Sequence, residues 1–525
     1  GGTVVSTVVS AALLSIPLFL MHPPVYGIIG FFISLIPIYT VAVTINNRMM
    51  TFFQKPAFIP KLALKQGLTE DMATMVVIPA LVTSEEDGAE LVQKMEVYWA
   101  ANQQPNLYFT LLSDFREDKN EIAAYDEELI RKLDAMVSAL NAKYGREIFF
   151  YVQRRRVRIA ENGRFGGWER KRGALLNFCA LLTEDSDAFM HVSGSLPKGI
   201  KYVITLDADT ALGRDAVVRM VGAMEHPLHR PSVDEQKGIV TQGYGIMQPR
   251  IGVDVVSAAK SRLSLVFTGK GGLDTYASAA SDVYQDNFGT GIFTGKGIFN
   301  LQAYMRVLKD AFPDNAILSH DLLEGSYLRC ALLTDVVLMD GCPARYISWA
   351  ERQHRWTRGD WQLLPWLGRT VPTKGGRRKN PLPGLAKYQI IDNLRRSLSV
   401  PLSFIVILLS QTAFFSWAFF WFISGILPLF IDAILDFVTR TLTLIKNAGK
   451  GTTLKDIWFE TRTLFELSFY RFAFLPYETV RALDAIFRTL WRVLVSHKHM
   501  LQWVTAAEGE KSARDGIAYY WKRMA

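Results

Sequence analysis

Tyr202-Val203-Ile204-Thr205-Leu206-Asp207-Ala208-Asp209 decides how this chain is read. Its first five residues are apolar or β-branched and read as a buried β-strand. The two carboxylates stand one residue apart at the strand's C-terminal end. There they present oxygen ligands to a hard cation such as Mg2+ or Mn2+. Such a cation bridges to the diphosphate of a nucleotide. Alone, an Asp-x-Asp reads more readily as a solvated strand end, and it is the rest of the chain that reverses that reading.

Upstream, strand and helix patterns alternate. Residues 74–79 form a short apolar strand. Residues 87–101 have helical spacing through Leu91, Met95, Tyr98 and Trp99. A strand over 107–112, a long amphipathic helix over 121–141, a strand over 148–152 and a helix over 173–182 follow. This order predicts an α/β fold with a mainly parallel sheet and flanking helices. Ligands in such sheets bind at the carboxyl ends of strands. No internal repeat or low-complexity tract interrupts the pattern.

Two apolar, uncharged stretches, 4–20 and 25–45, flank Met21-His22-Pro23-Pro24 and predict two transmembrane helices joined by a tight turn. No basic leader or cleavage pattern supports a signal peptide. A third apolar block, 398–431, is too long for one span of about 20 residues. Pro401, Gly425 and Pro428 predict a break there, as a broken helix or a two-span hairpin. Arg48, Lys55, Lys61 and Lys65 follow the second span, and Lys387, Arg395 and Arg396 precede the third. The turn at Met21–Pro24 carries no basic residue. The positive-inside rule then puts the large intervening region in the cytoplasm. Residues 457–494 are aromatic and leucine-rich but too charged for a span. They predict amphipathic helices on the membrane surface or against the catalytic domain. The expected organisation is transmembrane helices over 1–50, a catalytic domain over 51–390, transmembrane helices over 391–445 and interfacial helices over 446–525.

A net charge of +9 does not point to nucleic acid, because the basic residues cluster beside the spans and in three short runs. These are Arg154-Arg155-Arg156, Arg170-Lys171-Arg172 and Arg377-Arg378-Lys379; anionic headgroups and substrate phosphates are the simpler partners. The first run reads as a solvated strand end. Cys179, Cys330 and Cys342 form neither a disulfide framework nor a CxxC pattern and are expected to be buried and inert. The opening Gly1-Gly2 without Met, and the basic ending Trp521-Lys522-Arg523-Met524-Ala525, read as those of a piece of a longer protein.

Further elements complete the Asp-x-Asp. Ile78-Pro79-Ala80-Leu81-Val82-Thr83 follows the first strand as a loop able to hold a nucleoside. Ser113-Asp114 follows the second strand, with a carboxylate for a base or ribose hydrogen bond. Lys171-Arg172-Gly173 opens a helix with cations and free N–H groups, an anion site. Ser319-His320-Asp321-Leu322-Leu323-Glu324-Gly325 supplies Asp321 as a candidate general base. Arg352-Gln353-His354-Arg355-Trp356-Thr357-Arg358-Gly359-Asp360-Trp361-Gln362 supplies arginines for phosphate oxygens and flat Trp faces for sugars.

In order and spacing this set resembles the inverting GT-A processive synthases of cellulose, chitin and hyaluronan. The resemblance implies a GT-A-like fold, Asp114 at the uridine, Lys171, Asp207 and Arg355 at the nucleotide sugar, and Asp207 and Asp209 at the metal. It implies Asp321 as catalytic base and Trp356 and Trp361 at the acceptor. The chain departs from that group where Arg352 replaces an expected Gln and His320 an expected Glu. The expanded motif, Ser-His-Asp-Leu-x-Glu-Gly and the tract from His499 to Ala507 resemble the cyclic β-1,2-glucan synthases of glycosyltransferase family 84. That resemblance implies a bacterial inner-membrane enzyme using UDP-glucose. It also implies a glucan grown on the protein itself, and a following phosphorylase-like domain that this sequence does not include.

Other readings stand beside these. The same class includes synthases of other β-glucans and polyprenyl-phosphate glucosyltransferases; a different class is a non-catalytic GT-A scaffold. His320 reads equally as a packing residue, and Trp349, Trp361 and Trp366 as membrane-interface anchors. Glu324 reads as a second polar contact or a helix-start charge, and His497-Lys498-His499 as a basic surface turn. Tyr144, Tyr276 and Tyr284 are the tyrosines in loop-like surroundings that self-glucosylation would draw on.

Overall fold

The computed structural model describes residues 2–53, 56–159, 162–184, 186–268, 282–446 and 453–502, with 516, 520, 521 and 524. Lys55, Tyr276, the tract Trp503-Val504-Thr505-Ala506-Ala507 and the ending Lys522-Arg523 lie outside them.

Among the described residues, nine strands form the central sheet. They are β1 (Thr74–Leu81), β2 (Leu107–Asp114), β3 (Phe149–Arg154), β4 (Phe189–Val192), β5 (Tyr202–Thr205), β6 (Thr210–Leu212), β7 (Ile246–Val253), β8 (Gly297–Asn300) and β9 (Cys330–Asp340). Their order across the sheet is β4-β3-β2-β1-β5-β8-β7-β9-β6. The pairs β1–β2, β2–β3, β1–β5 and β7–β9 are parallel. The pairs β3–β4, β5–β8, β7–β8 and β6–β9 are antiparallel. The mainly parallel half is the one legible in the sequence. The strands β7 to β9 went unread there; of these only β8 runs against β5, and β7 and β9 lie parallel to it.

Period-two alternation explains how both faces are buried. Along β1, Met75 and Val77 face one core with Phe178 and Cys179 of α5 (Arg170–Thr183). Val76 and Ile78 face the other core, beneath α3 (Glu85–Ala101), α4 (Asp126–Tyr144) and α6 (Ala216–Glu225). The chain runs outward from β1 to β3, then returns to β5 on the other side of β1. That reversal is a topological switch point, where open α/β sheets leave a crevice beyond the strand ends. Asp207 and Asp209 follow β5 there, with Leu206 N–H donating to Val77 O at 3.0 Å.

Among the described residues, four helices are long and apolar enough to cross a membrane: α1 (Gly2–Met21), α2 (Pro24–Phe53), α9 (Gly384–Ser410) and α10 (Ala418–Lys446). The last two form a hairpin, but its break falls at residues 411–417. Pro401, Gly425 and Pro428, expected to mark the break, all lie inside helices. Membrane helices tolerate proline where neighbours satisfy the freed backbone. Gly425 serves close packing instead: a Cβ there would lie 3.1 Å from Ser403 O of α9. α9 starts at Gly384, and Ile390 and Leu394 in its first turns join the catalytic core.

Between the sheet and that hairpin lie α7 (Asp321–Leu328) and α8 (Tyr346–Gln362). After it come α11 (Leu454–Ala473) and α12 (Leu475–Trp491). α12 docks on α8: Tyr346 OH donates to Glu478 Oε1 at 3.0 Å, and His354 Nε2 meets Asp484 Oδ2 at 2.8 Å. Its outer stripe, Val480, Phe487 and Trp491, stays exposed.

The Arg154 run is not a solvated strand end. Arg154 and Arg156 are buried and only Arg155 is exposed. Each buried guanidinium holds a carboxylate, Arg154 with Asp114 and Arg156 with Asp126, the pairing that makes a buried charge tolerable. The tyrosines also differ from expectation. Tyr144 ends α4 with its hydroxyl on Glu96, and Tyr284 is buried in a short helix, Val283–Phe288. All three cysteines are buried, as expected.

Candidate active site

The site gathers around two lysines. Lys171, in the first turn of α5, is ion-paired with Asp207 and donates to Gly295 O at 2.7 Å. Lys296, just before β8, lies 3.1 Å from Asp207 Oδ2 and is also ion-paired with Asp340 at the end of β9. Thr210 Oγ1 donates to the other Asp340 oxygen at 2.7 Å. Burial works to raise the Asp207 pKa, but the two ammonium groups outweigh it and hold the carboxyl well below its usual range.

Asp209 differs. Its side chain opens to solvent, and among the described residues no hydrogen bond or ion pair engages its carboxylate. Partial desolvation and the repulsion of Asp207 and Asp340 raise its pKa, against the pull of Lys296 and Arg352. A carboxylate crowded by two others, with free oxygens, fits a hard divalent cation. Asp207 fits less well as a direct ligand, because two lysines already occupy it.

Asp321 opens α7 on the other side of the same node. Gly295, at φ +90°, lets the chain pass so close that an added Cβ would stand 3.0–3.1 Å from the Asp321 carboxylate. His320 Nδ1 lies 3.5 Å from Asp321 Oδ1 and 3.0 Å from Oε1 of the buried Glu324. These three side chains could each offer a metal one ligand atom, all within 4.8 Å of one another. Burial raises the Asp321 pKa, with His320 and Lys171 opposing and Glu324 and Asp207 adding. Burial likewise works to raise Glu324, but His320, Arg172 and Lys171 hold it below its ordinary value. Glu324 is thus a buried partner of His320, and Tyr304 OH reaches it at 3.3 Å.

α8 closes the site. Residues 352, 355, 356 and 359 fall on one helical face. Gly359 is where that face meets the loop before Asp321: an added Cβ would lie 2.4 Å from the Ser319 Cβ. Burial and the neighbouring Arg352 bring the Arg355 pKa down to about 10, against the pull of Asp207, Asp321 and Asp209. Trp356 shares this face, and the Arg352 guanidinium lies 4.9 Å from its ring centroid. Trp361 does not join it. Five residues past Trp356, it points across the helix; it is buried and donates to Ser397 Oγ of α9 at 2.9 Å. The expected second acceptor surface is therefore an anchor between α8 and α9.

Asp114 lies at the end of β2, two strands from Asp207, and both its oxygens accept from Arg154 at 2.6 Å. Arg154 in turn donates to Trp168 O at 2.7 Å and Arg170 O at 3.2 Å. The sequence reading missed Lys296, Asp340, Gln362 and Arg154. The glycine-dense run Gly289-Thr290-Gly291-Ile292-Phe293-Thr294-Gly295-Lys296-Gly297 was a signal for the first. Gln362 was quoted in the last motif without a role. It accepts from Leu318 N at 2.6 Å and donates to Met500 O at 2.9 Å. The His497-Lys498-His499 segment is an exposed turn, as its basic composition suggested.

No protein-family model matches the chain. Over 499 residues, 92% of its length, it is 37% identical to cyclic beta-(1,2)-glucan synthase NdvB of Rhizobium meliloti (strain 1021), and it covers 17% of that protein. The resemblance carried by the motifs thus extends over nearly the whole chain, which is a relative of one segment of a cyclic β-(1,2)-glucan synthase. Among solved structures, galactosyltransferase LgtC in complex with donor and acceptor sugar analogs matches 51% of this chain and 87% of its own. At 12% identity and a TM-score of 0.25, that likeness bears on neither fold nor site.

Proposed function

We propose that this chain is the membrane-embedded glucosyltransferase segment of a cyclic β-1,2-glucan synthase, polymerising glucose from UDP-glucose with inversion. One observation carries the reading: Asp207, beside Asp209 at the switch point, and Asp321 on α7 meet at the single node of Lys171 and Gly295. Donor carboxylates and a base candidate on one node are what a single displacement needs.

In this mechanism the acceptor's 2-hydroxyl attacks the anomeric carbon of the donor. The bond from that carbon to the phosphate oxygen breaks, UDP leaves with the electron pair, and the hydroxyl proton passes to Asp321. One displacement turns an α-linked donor into a β-glucoside. Asp209, with Asp207 nearby, would hold Mg2+ or Mn2+, and such an ion supplies charge neutralisation at the diphosphate. Lys171 and Arg355 add positive charge on the diphosphate side, Asp114 meets the uridine, and Trp356 offers its ring to the acceptor. The growing glucan, probed at the protein itself by family resemblance, and a phosphorylase-like domain elsewhere in the whole protein are the partners.

The lipid bilayer holds the four apolar helices, and Arg48, Lys61, Lys65, Lys387, Arg395 and Arg396 near the sheet side favour a cytoplasmic site in a bacterial inner membrane. The test is incubation of the purified chain with labelled UDP-glucose and Mg2+ or Mn2+, with and without chelator, followed by linkage analysis. Metal-dependent incorporation into β-1,2-linked glucose, lost in Asp209→Ala, is expected. Undiminished transfer by Asp209→Ala, or α-linked product, overturns it.

A further inference from the structure

Beside the β3–β4 edge of the sheet is a cavity of about 570 Å³ lined by Arg155, Val157, Trp168, Asn177, Asp187 and Ala188. Arg155 and Ala188 border β3 and β4, three strand positions or more from β5, while Trp168 and Asn177 reach the cavity from just before and from the middle of α5, the helix that carries Lys171. None of the residues that line it belongs to the Lys171, Asp207 and Asp321 cluster.

Its polar groups are left unspent by the fold. Among the described residues, neither the Asn177 amide nor the Asp187 carboxylate makes a hydrogen bond or ion pair, and the Trp168 indole N–H has no acceptor. The Arg155 guanidinium is exposed, with only a loose 3.9 Å contact to Glu121. Trp168 itself is half-buried and fixed: its carbonyl holds Arg154 at 2.7 Å, and Gly173 packs against its ring. One flat aromatic is thus surrounded by amide, carboxylate, guanidinium and indole N–H. The charges of Arg155 and Asp187 offset each other within the lining, and the Lys374 ammonium lies 5.8 Å from the Trp168 ring centroid.

Paired donors and acceptors around a fixed aromatic ring suit a neutral polyol. Its hydroxyls both give and accept hydrogen bonds, and the C–H face of a sugar ring packs on an indole. We propose that this cavity is a carbohydrate subsite that holds a distal part of the glucan acceptor, with Trp168 as the stacking face and Asn177 and Asp187 as the hydroxyl partners. The inference rests on the glucan reading above and extends it to a second point of contact. Asp114, assigned to the uridine, packs close to Gly167, where an added Cβ would stand 2.7 Å from its Oδ2, so displacement by UDP is the outcome that would give the cavity to the nucleoside instead.

The test is calorimetric titration of β-1,2-linked gluco-oligosaccharides into the purified full chain, with UDP titrated separately. Trp168→Ala risks the fold through Arg154, so the variants are Asn177→Ala and Asp187→Asn, with Trp168→Phe to keep an aromatic face. Each loss of a hydrogen-bond partner is expected to weaken oligosaccharide binding about 5- to 10-fold while UDP affinity is unchanged. Equal oligosaccharide affinity in wild type and both variants, no oligosaccharide binding by wild type, or displacement of the oligosaccharide by UDP alone overturns the subsite. Binding that depends on Asn177 in a chain that neither binds UDP nor transfers glucose upholds the subsite and sinks the donor reading instead.

Discussion

Lys296 Nζ lies 3.1 Å from Asp207 Oδ2 and is ion-paired on its other side with Asp340. One ammonium, barely exposed, therefore bridges the C-terminal end of β5 and the end of β9, elements separated by two strands in the sheet. Its pKa is raised because Asp207, Asp340 and Asp209 outweigh the cost of burying it.

Lys296→Met should leave three carboxylates facing one another with Lys171, Arg352 and Arg355 as the remaining positive charges. Removing one partner of a buried pair costs about 3–5 kcal/mol. Denaturant unfolding in detergent should show a loss of that order, and transfer should vanish. Wild-type stability in Lys296→Met would refute the bridging role. Lys296→Arg, which keeps the charge, should recover most of the stability.

A second expectation concerns Asp114. Both its oxygens hold the buried Arg154, so a change there acts on the fold before it acts on the nucleotide. Asp114→Ala should destabilise by about 3–5 kcal/mol, since an unpaired guanidinium is left buried. Adding Arg154→Met should restore much of the loss. If stability returns in the double variant while the donor KM stays high, Asp114 contributes to binding as well as to folding. A normal KM in the stable double variant would remove Asp114 from the nucleotide site.

Much of this arrangement was legible in the sequence because it rests on local pattern. β1, β2, β3 and β5 are apolar runs closed by polar residues, and Asp207, Asp209, Asp114 and Asp321 each sit where a strand or helix pattern changes. What was not legible depends on tertiary partners. Nothing in the sequence distinguishes a solvated Arg154 from one whose planar fork closes on Asp114 forty residues earlier in the chain. Trp361 looked like Trp356 because both flank one motif; only the helical turn between them sends one to the site and the other to Ser397. The hairpin break at 411–417 escaped because Pro401 and Pro428 were weighed as helix breakers, as they are in water. Inside a bundle of apolar helices that weight falls.

Gln362 carries the third expectation. Its side chain joins the loop ahead of Asp321 to α8 through Leu318 N and to the C-terminal segment through Met500 O. It is a positioning residue, since nothing links it directly to the reacting groups. Gln362→Ala should lower kcat by about tenfold through loop displacement, with donor KM little changed. Gln362→Glu keeps an acceptor for Leu318 N but loses the donor to Met500 O, so it should fall between the two. A pure KM effect would contradict the positioning role.

The last expectation concerns Asp321 and pH. A sugar hydroxyl is a poor nucleophile at neutral pH, and general-base help is worth about 10²- to 10⁴-fold. Asp321→Asn should therefore lose about that factor in transfer, with UDP affinity intact; near-normal synthesis would hand the role to Glu324. The pH profile adds a sharper reading. The base acts when deprotonated, so kcat falls as pH drops through the Asp321 pKa. Burial raises that pKa, so the acid limb should lie above the ordinary aspartate range. The cation of His320 and the ammonium of Lys171 oppose the rise, while Glu324 and Asp207 add to it. Burial works to lower the His320 pKa, but Glu324 and Asp321 outweigh it and raise it, which favours the imidazolium. His320→Gln removes that positive charge from beside Asp321. Its acid limb should consequently move to higher pH, by about half a unit to one unit for a single close charge. An acid limb unmoved by His320→Gln would mean that the limb does not report Asp321, and a limb moved to lower pH would reverse the assigned electrostatics.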